Sequence, residues 1–309
     1  MRHPDEFNPT PEVAEELSPG IRRILCDNPS PFTFRGTNTY LVGQRAGIAV
    51  IDPGPVDERH MAAILGALGP DQHVSHILTT HAHGDHTPLA RPLAEATGAP
   101  VLAYGPATRG QSEVMRRLAA QGGLGGGEGM DTDFRPDRAL ADGEEVGGDG
   151  WRLTALWTPG HHCNHLSFDS DLGTGYGTIF TGDHVMAWST SIVSPPDGDL
   201  TQFMESCRKL RARPANRYLP GHGPAIDTPH ARLDWLVEHR MSREAAILDA
   251  LGQGPADAQQ LAERVYTDIS PNLLPAAARN VLAHLIDLTG KSRVTPEGEL
   301  TATSTFRLL

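Results

Sequence analysis

Three cysteines in 309 residues, Cys26, Cys163 and Cys207, form no CxxC pair and are odd in number, which excludes a disulfide framework and makes a reducing cytoplasm the expected compartment. Long apolar runs are missing as well. Nowhere do 18 apolar residues follow one another, and residues 1–9 carry no apolar stretch behind a basic start, so neither a membrane span nor export is expected. Positive charge is short: 26 Lys and Arg stand against 38 Asp and Glu, a formal balance of −12 that repels phosphate backbones overall. The densest basic patches are Arg22-Arg23, Arg116-Arg117 and the stretch from Arg208 to Arg213. None makes a basic groove, and the last reads as the final turn of an amphipathic helix, where cations suit the helix dipole. The glycine-rich run from Gly122 to Gly129 lacks the Gly-Lys-Ser/Thr ending of a phosphate-cradling loop and is expected to be a flexible loop beside the active-site mouth. No internal repeat is present.

Histidine is plentiful, with 15 in the chain, and its placement is uneven. After the apolar run His76-Ile77-Leu78 and Thr79-Thr80 comes His81-Ala82-His83-Gly84-Asp85-His86, three imidazoles and a carboxylate within six positions. Neutral imidazole suits zinc and other borderline divalent metals, and a carboxylate adds a harder oxygen ligand. Three later segments repeat the pattern of an apolar run, a tight Gly or Pro turn and a ligand-type side chain: Thr158-Pro159-Gly160-His161, Thr181-Gly182-Asp183-His184 and Pro220-Gly221-His222-Gly223. Strand ends on one rim can bring such side chains to one cleft. His3, His60, His73, His230 and His239 lie in polar or helical contexts and are expected at the surface. Cys163 is expected to be a packed thiol rather than a ligand.

HxHxDH, TPGH, TGD and GHG in this order, with Val50-Ile51-Asp52-Pro53-Gly54 upstream, resemble the metallo-beta-lactamase-fold hydrolases over roughly residues 20 to 225. The resemblance implies a four-layer αββα sandwich and two divalent metal ions, zinc first, with manganese or iron as alternatives. By the same resemblance His81, His83 and His161 would hold one ion, Asp85, His86 and His222 the other, and Asp183 would bridge them. Asp85 and Asp183 are then the catalytic carboxylates, while Asp52 would orient a ligand rather than be one. His165, four positions past His161, is expected to support the ligands or pack the strand; His184 is either a substrate contact or a loop residue. Asn38, Tyr40, Trp188, Ser189 and Thr190 are candidate substrate walls or merely packed loop residues.

Two cations about 3.5 to 4 Å apart share a water and lower its pKa from about 15.7 toward neutrality, so the expected reaction is hydrolysis by hydroxide without a covalent enzyme intermediate.

Three units are expected: a polar arm (1–20), the catalytic region (21–227) and a helical C-terminal region (228–309). Strands are expected at 21–25, 38–42, 48–51 and 76–78, and helices at 57–68 and 87–97, with Pro88 at a tolerated early position. Leu233, Leu236, Val237, Met241, Ala245 and Leu248 recur at helical spacing within 229–251. Two further helices, 256–266 and 273–288, precede a hairpin turning at Gly298, which makes a winged-helix pattern. From Met241 onward six basic residues face eight acidic ones, a balance of −2, so DNA reading is not expected; shaping the substrate mouth or pairing subunits as a homodimer is. This architecture resembles the beta-lactamase-like protein 2 group, of which at least one eukaryotic member is an endoribonuclease on single-stranded RNA. The chain departs from many superfamily members in having Thr87-Pro88-Leu89 where they carry Gly-Gly after HxHxDH. A periplasmic antibiotic-destroying enzyme is not expected without an export signal. The leading expectation is a small-molecule ester, thioester, lactone or amide hydrolase. RNA cleavage is the alternative, and a non-enzymatic metal-sensing nucleic-acid binder the lesser one.

Overall fold

The computed structural model describes residues 6–122, 124, 129–172, 177–267 and 269–309. Most of the glycine-rich run, Gly123 and residues 125–128, lies outside them, as does His3.

The first sheet runs in chain order through β1 (Glu15–Ser18), β2 (Ile21–Leu25), β3 (Asn38–Val42), β4 (Gly47–Ile51), β5 (His73–Leu78), β6 (Val101–Ala103) and β7 (Arg138–Ala139). β1 through β4 are antiparallel neighbours, whereas β4, β5, β6 and β7 pair in parallel. The second sheet is ordered β12-β11-β10-β9-β8, built from β8 (Glu145–Gly148), β9 (Trp151–Trp157), β10 (Leu166–Ser170), β11 (Thr178–Gly182) and β12 (Arg217–Pro220).

Side-chain alternation decides the layering. In β4, Ala49 and Ile51 enter the core between the sheets while Ile48 and Val50 face outward onto helices, so both faces are apolar, as a doubly covered strand requires. Outside the first sheet lie α1 (Glu58–Gly66), capped by the Asp57 carboxylate on the Arg59 and His60 amides, and α2 (Ala90–Thr97). α3 (Glu113–Gln121) instead sends Met115 and Leu118 into the C-terminal core. α4 (Leu200–Arg211) and the first half of α5 (Pro229–Leu251) cover the second sheet through Phe203, Cys207, Leu210, Leu233 and Leu236 packed on Leu156, Ile179 and Tyr218. The layers are helix, sheet, sheet, helix.

The C-terminal unit packs the end of α5, α6 (Ala258–Val265) and α7 (Leu274–Gly290) with β13 (Val294–Pro296) and β14 (Phe306–Leu308) around Leu261, Val281, Leu285 and Phe306. No helix among the described residues is long and apolar enough to cross a membrane.

Three expectations change. Residues 15–18, assigned to the polar arm, form an edge strand on β2. The helix expected from Thr87 begins at Ala90, because Thr87 Oγ1 bonds Asp131 Oδ2 (2.7 Å) and the Leu89 amide is taken by the Gly54 carbonyl (3.0 Å). The hairpin does not close tightly at Gly298: β13 pairs with Phe306–Leu308 across a longer loop, since burying Phe306 (0 % exposed) and bridging it to Ala256 places the return strand there.

Candidate metal centre

β4 and β5 end side by side, and their last residues deliver the first group. Asp52, just past β4, adopts left-handed backbone (φ 51°) and its amide donates to the Leu78 carbonyl (2.9 Å). That turn aims its carboxylate at the segment after β5: Oδ1 accepts from the Thr80 amide (2.7 Å), and Oδ2 accepts from the Thr80 hydroxyl (2.7 Å) and from His86 Nδ1 (3.0 Å). The Thr80 oxygen in turn accepts from His81 Nδ1 (2.9 Å). One buried carboxylate thus orients two imidazoles.

β9 leads to His161, β11 to Asp183 and β12 to His222, which bring their ligand atoms to the same rim. His83 Nδ1 lies 2.9 Å from His81 Nε2 and 3.2 Å from His161 Nε2. His222 Nε2 lies 3.1 Å from Asp85 Oδ2 and 3.2 Å from Asp183 Oδ2, and His86 Nε2 is 3.5 Å from Asp85 and 3.6 Å from Asp183 Oδ1. Asp183 Oδ2 also reaches to 3.8 Å from His161 Nε2, so this carboxylate stands between the two sets.

Glycine is required at two of these turns. A Cβ on Gly221 would lie 2.4 Å from Asp183 Oδ1, and one on Gly182, where φ is +46°, would lie 2.6 Å from His165 Nε2.

Outer hydrogen bonds fix the ring protons. His161 Nδ1 donates to the Ile192 carbonyl (2.7 Å) and His222 Nδ1 to the Gly36 carbonyl (3.1 Å), and His86 donates to Asp52. In each ring Nε2 faces the centre. Burial pushes the His81 imidazole well below its usual value, helped by His86 and His83, and takes His83 down to about 3. Burial also lowers His161. Burial opposes the charge on His222 too, but Asp183 and Asp85 outweigh it and raise that ring to about 10; the same carboxylates raise His86. Against its own burial, Asp183 is held well below the usual carboxylate range by His222 and His86.

This donor set fits divalent metal ions. A tetrahedral zinc site with bonds of about 2.0–2.1 Å holds its ligand atoms roughly 3.3 Å apart, close to the separations among the first three imidazoles. His86 Nε2 and Asp183 Oδ1 are buried without any hydrogen-bond partner, the state expected of atoms that serve a cation. Groups of donor atoms able to hold an ion include His81, His83 and His161; His81, His86 and Asp183; and Asp85, His86 and His222. All seven residues implied by the motifs are therefore brought together.

Other candidates turn elsewhere. Asn38 Nδ2 donates to the Pro220 and Gly223 carbonyls (both 2.9 Å) and Tyr40 Oη to Pro220 O (2.7 Å), so both brace the turn carrying His222 instead of facing substrate. Trp188 stacks on Phe34 at 5.0 Å and stays out of the cleft. His184 is fully buried, its ring 4.4 Å from Phe203 and Nε2 3.6 Å from Cys207 Sγ, and it does not line the cleft. His165 is buried against His81 (ring centroids 5.2 Å apart) and held by Thr158 Oγ1 (2.9 Å). His60, expected at the surface, is fully buried between Glu12 Oε2 (2.6 Å) and Thr39 Oγ1 (2.8 Å); its position on α1 gave a helical context but no hint of which face turns inward.

Above the metal-type residues opens a cavity of about 640 Å³. Its floor includes His83, Asp85, His161, Asp183 and His222. Phe32 and Thr33 come from the loop before β3, Met186, Ile192 and Ser194 from the loop after Asp183, and Leu273, Ala276 and Arg279 from the C-terminal unit. Sequence reasoning placed the wall in the loop after Asp183 but chose Trp188, Ser189 and Thr190. A C-terminal unit that shapes the mouth is among the expectations from the sequence, but its contributing residues carry no motif and packing alone names them.

Comparison with known proteins agrees with this architecture. Residues 32–222 match the metallo-beta-lactamase superfamily and residues 258–302 the beta-lactamase associated winged helix domain. The chain is 32 % identical over 276 residues to a beta-lactamase-like protein 2 homolog of Caenorhabditis elegans, covering 87 % of this chain and 83 % of that one. It is 30 % identical over 247 residues to an atrochrysone carboxyl ACP thioesterase of Aspergillus fumigatus, covering 78 % and 67 %. A beta-lactamase domain protein from Burkholderia ambifaria superposes with a TM-score of 0.80 at 20 % identity, covering 100 % and 99 %, a likeness of fold. The chain belongs to the metallo-beta-lactamase superfamily and carries its associated winged helix. Within that superfamily it is a metal-dependent hydrolase, similar to proteins named beta-lactamase-like protein 2.

Proposed function

We propose that the chain is a dinuclear hydrolase that cleaves a compact ester, thioester, lactone or amide. The observation that carries this reading is the position of Asp183, one carboxylate within 3.2–3.8 Å of imidazoles from both donor sets, on the floor of a cavity sized for a small molecule. His81, His83 and His161 would hold one ion and Asp85, His86 and His222 the other, with zinc suited to the imidazole-rich set. Two such cations would supply a water acidic enough to attack at neutral pH and would stabilise anionic oxygen in the transition state.

The chain does the rest by placement. Asp52, Thr80 and the Ile192 and Gly36 carbonyls keep the ring protons of His86, His81, His161 and His222 on Nδ1, so Nε2 offers a lone pair to the centre. Phe32, Met186, Ile192, Leu273, Pro275 and Ala276 give an apolar wall that receives an acyl group and displaces water. Among the described lining residues Arg279 is the one permanent cation, which suits a substrate of low charge better than a phosphate chain. The thioesterase named among the relatives adds weight on the side of acyl transfer to water.

Metal content by elemental analysis, paired with turnover of a thioester, a lactone, a cephalosporin, a phosphodiester and labelled single-stranded RNA, tests the proposal. Two metals per chain with chelator-sensitive cleavage of an acyl substrate supports it. Cleavage of RNA alone would replace it with the endoribonuclease reading, for which Phe32, 56 % exposed beside the cavity, offers a surface for stacking a base.

A further inference from the structure

α5 buries two arginines, Arg232 at 6 % and Arg240 at 4 % exposure, and among the described residues neither has a carboxylate partner. Their donors go to backbone carbonyls of the loop that follows Asp183. Arg232 Nε donates to Met186 O and its Nη2 to Ser189 O (both 2.7 Å). Arg240 Nη2 donates to Ser191 O, while its Nη1 donates to Asn280 Oδ1 (3.0 Å) on α7. That same Asn280 oxygen accepts from the Val193 amide (3.2 Å). Burying a guanidinium without a counter-ion is costly, and these hydrogen bonds offset only part of the cost, since Arg240 Nε has no hydrogen-bond partner.

The clamped segment, Ser191-Ile192-Val193, touches one donor set through His161 and the backbone of Asp183, whose carboxylate stands between the sets. Ser191 Oγ lies 2.5 Å from the Asp183 carbonyl and 2.8 Å from that of His184, and the Ile192 carbonyl takes the proton of His161 Nδ1 (2.7 Å). Ala276 and Arg279, next to Asn280 on α7, line the cavity. The helix that walls the substrate space therefore also grips the loop behind the metal-type residues.

We propose that Arg240 and Asn280 are positioning residues for the metal centre, fixing the Ser191-Ile192-Val193 segment and through it the His161 ring and the Asp183 backbone. This makes the winged-helix unit part of the hydrolase, because one of the two groups that set the loop belongs to it. The inference rests on the dimetal reading above.

Cobalt(II) loading of the full chain tests it without recourse to turnover, through stoichiometry by elemental analysis, affinity by chelator competition and the visible ligand-field bands. Wild type is expected to take two ions. Asn280→Leu removes the acceptor shared by Arg240 and Val193 and is expected to weaken one ion about tenfold and to shift its bands, in line with losses seen when an outer-sphere partner is removed. Asn280→Asp keeps an acceptor oxygen there and is expected to restore both. Arg240→Lys, whose single ammonium cannot reproduce the guanidinium fork, is expected to behave as Asn280→Leu does and decides the question should that variant fail to fold. Wild-type affinity and bands in folded Asn280→Leu and Arg240→Lys would overturn the positioning role alone. A wild-type chain that takes up no cobalt would overturn the dimetal reading and this inference with it.

Discussion

Asp52 Oδ2 accepts from His86 Nδ1 at 3.0 Å and from the Thr80 hydroxyl at 2.7 Å, and Thr80 passes the constraint to His81, so one side chain at 2 % exposure orients a ring in each donor set. Removing it frees two imidazoles at once.

Asp52→Ala is therefore expected to weaken divalent-metal binding by 10- to 100-fold or more, the usual cost of losing a single outer-sphere partner. Competition against a chromophoric chelator measures this. Unchanged affinity would mean that the rings are oriented by packing alone.

Asp183→Asn keeps the shape but loses the charge shared between the two sets. The expected result is fewer than two metals per chain and loss of hydrolysis, with the fold retained by circular dichroism. A variant with full turnover would refute the proposed role of this carboxylate.

Gly221→Ala places a methyl group 2.4 Å from Asp183 Oδ1 and 2.8 Å from His86 Cε1. Overpacking of this kind costs about 1–3 kcal/mol, and here it also displaces ligand atoms. Both a lower melting temperature and weaker metal binding are expected, whereas Gly66→Ala on α1, where nothing lies within 4 Å, serves as a neutral control.

Acid should destabilise the chain through a group outside the metal-type residues. His284 on α7 is 1 % exposed, neither ring nitrogen has a hydrogen-bond partner, and burial, reinforced by Arg240, lowers its pKa to about 3. The unfolded chain binds a proton near pH 6.5 that the folded chain refuses, so stability is full above that pH and falls between about 6.5 and 3, by roughly 1.4 kcal/mol per unit. Denaturant melts of His284→Leu against wild type should show the slope reduced by about half a proton near pH 6.5, rising to about one proton by pH 5. Parallel slopes would assign acid sensitivity to other groups.

Strands 21–25 and 38–42 were legible from short apolar endings, Ile24-Leu25 and Tyr40-Leu41-Val42, and the helix 229–251 from the spacing of Leu233 and Leu236, although Met241 and Ala245 of the same expected stripe are exposed and Arg232 and Arg240 are buried in their stead. The donor residues were legible because each follows a short apolar run and sits at a Gly or Pro turn, a local arrangement that needs no knowledge of distant contacts.

Orientation was not local. Nothing near Asn38 and Tyr40 in the chain says that their partners are Pro220 and Gly223, some 180 residues on, or that Trp188 stacks on Phe34. His60 belongs to the same class, since its burial depends on Glu12 reaching it from an edge segment that reads as a polar arm.

Which donor side chains meet on one rim was written in the sequence, because donor type and turn residues occupy consecutive positions. Their surroundings came from tertiary packing: Leu273, Ala276 and Arg279 close a cavity wall over His83 and His161, and Arg240 and Asn280 grip the loop behind His161 through hydrogen bonds between residues 40 to 87 positions apart. Such contacts arise from how layers stack, and no periodicity along one chain encodes them.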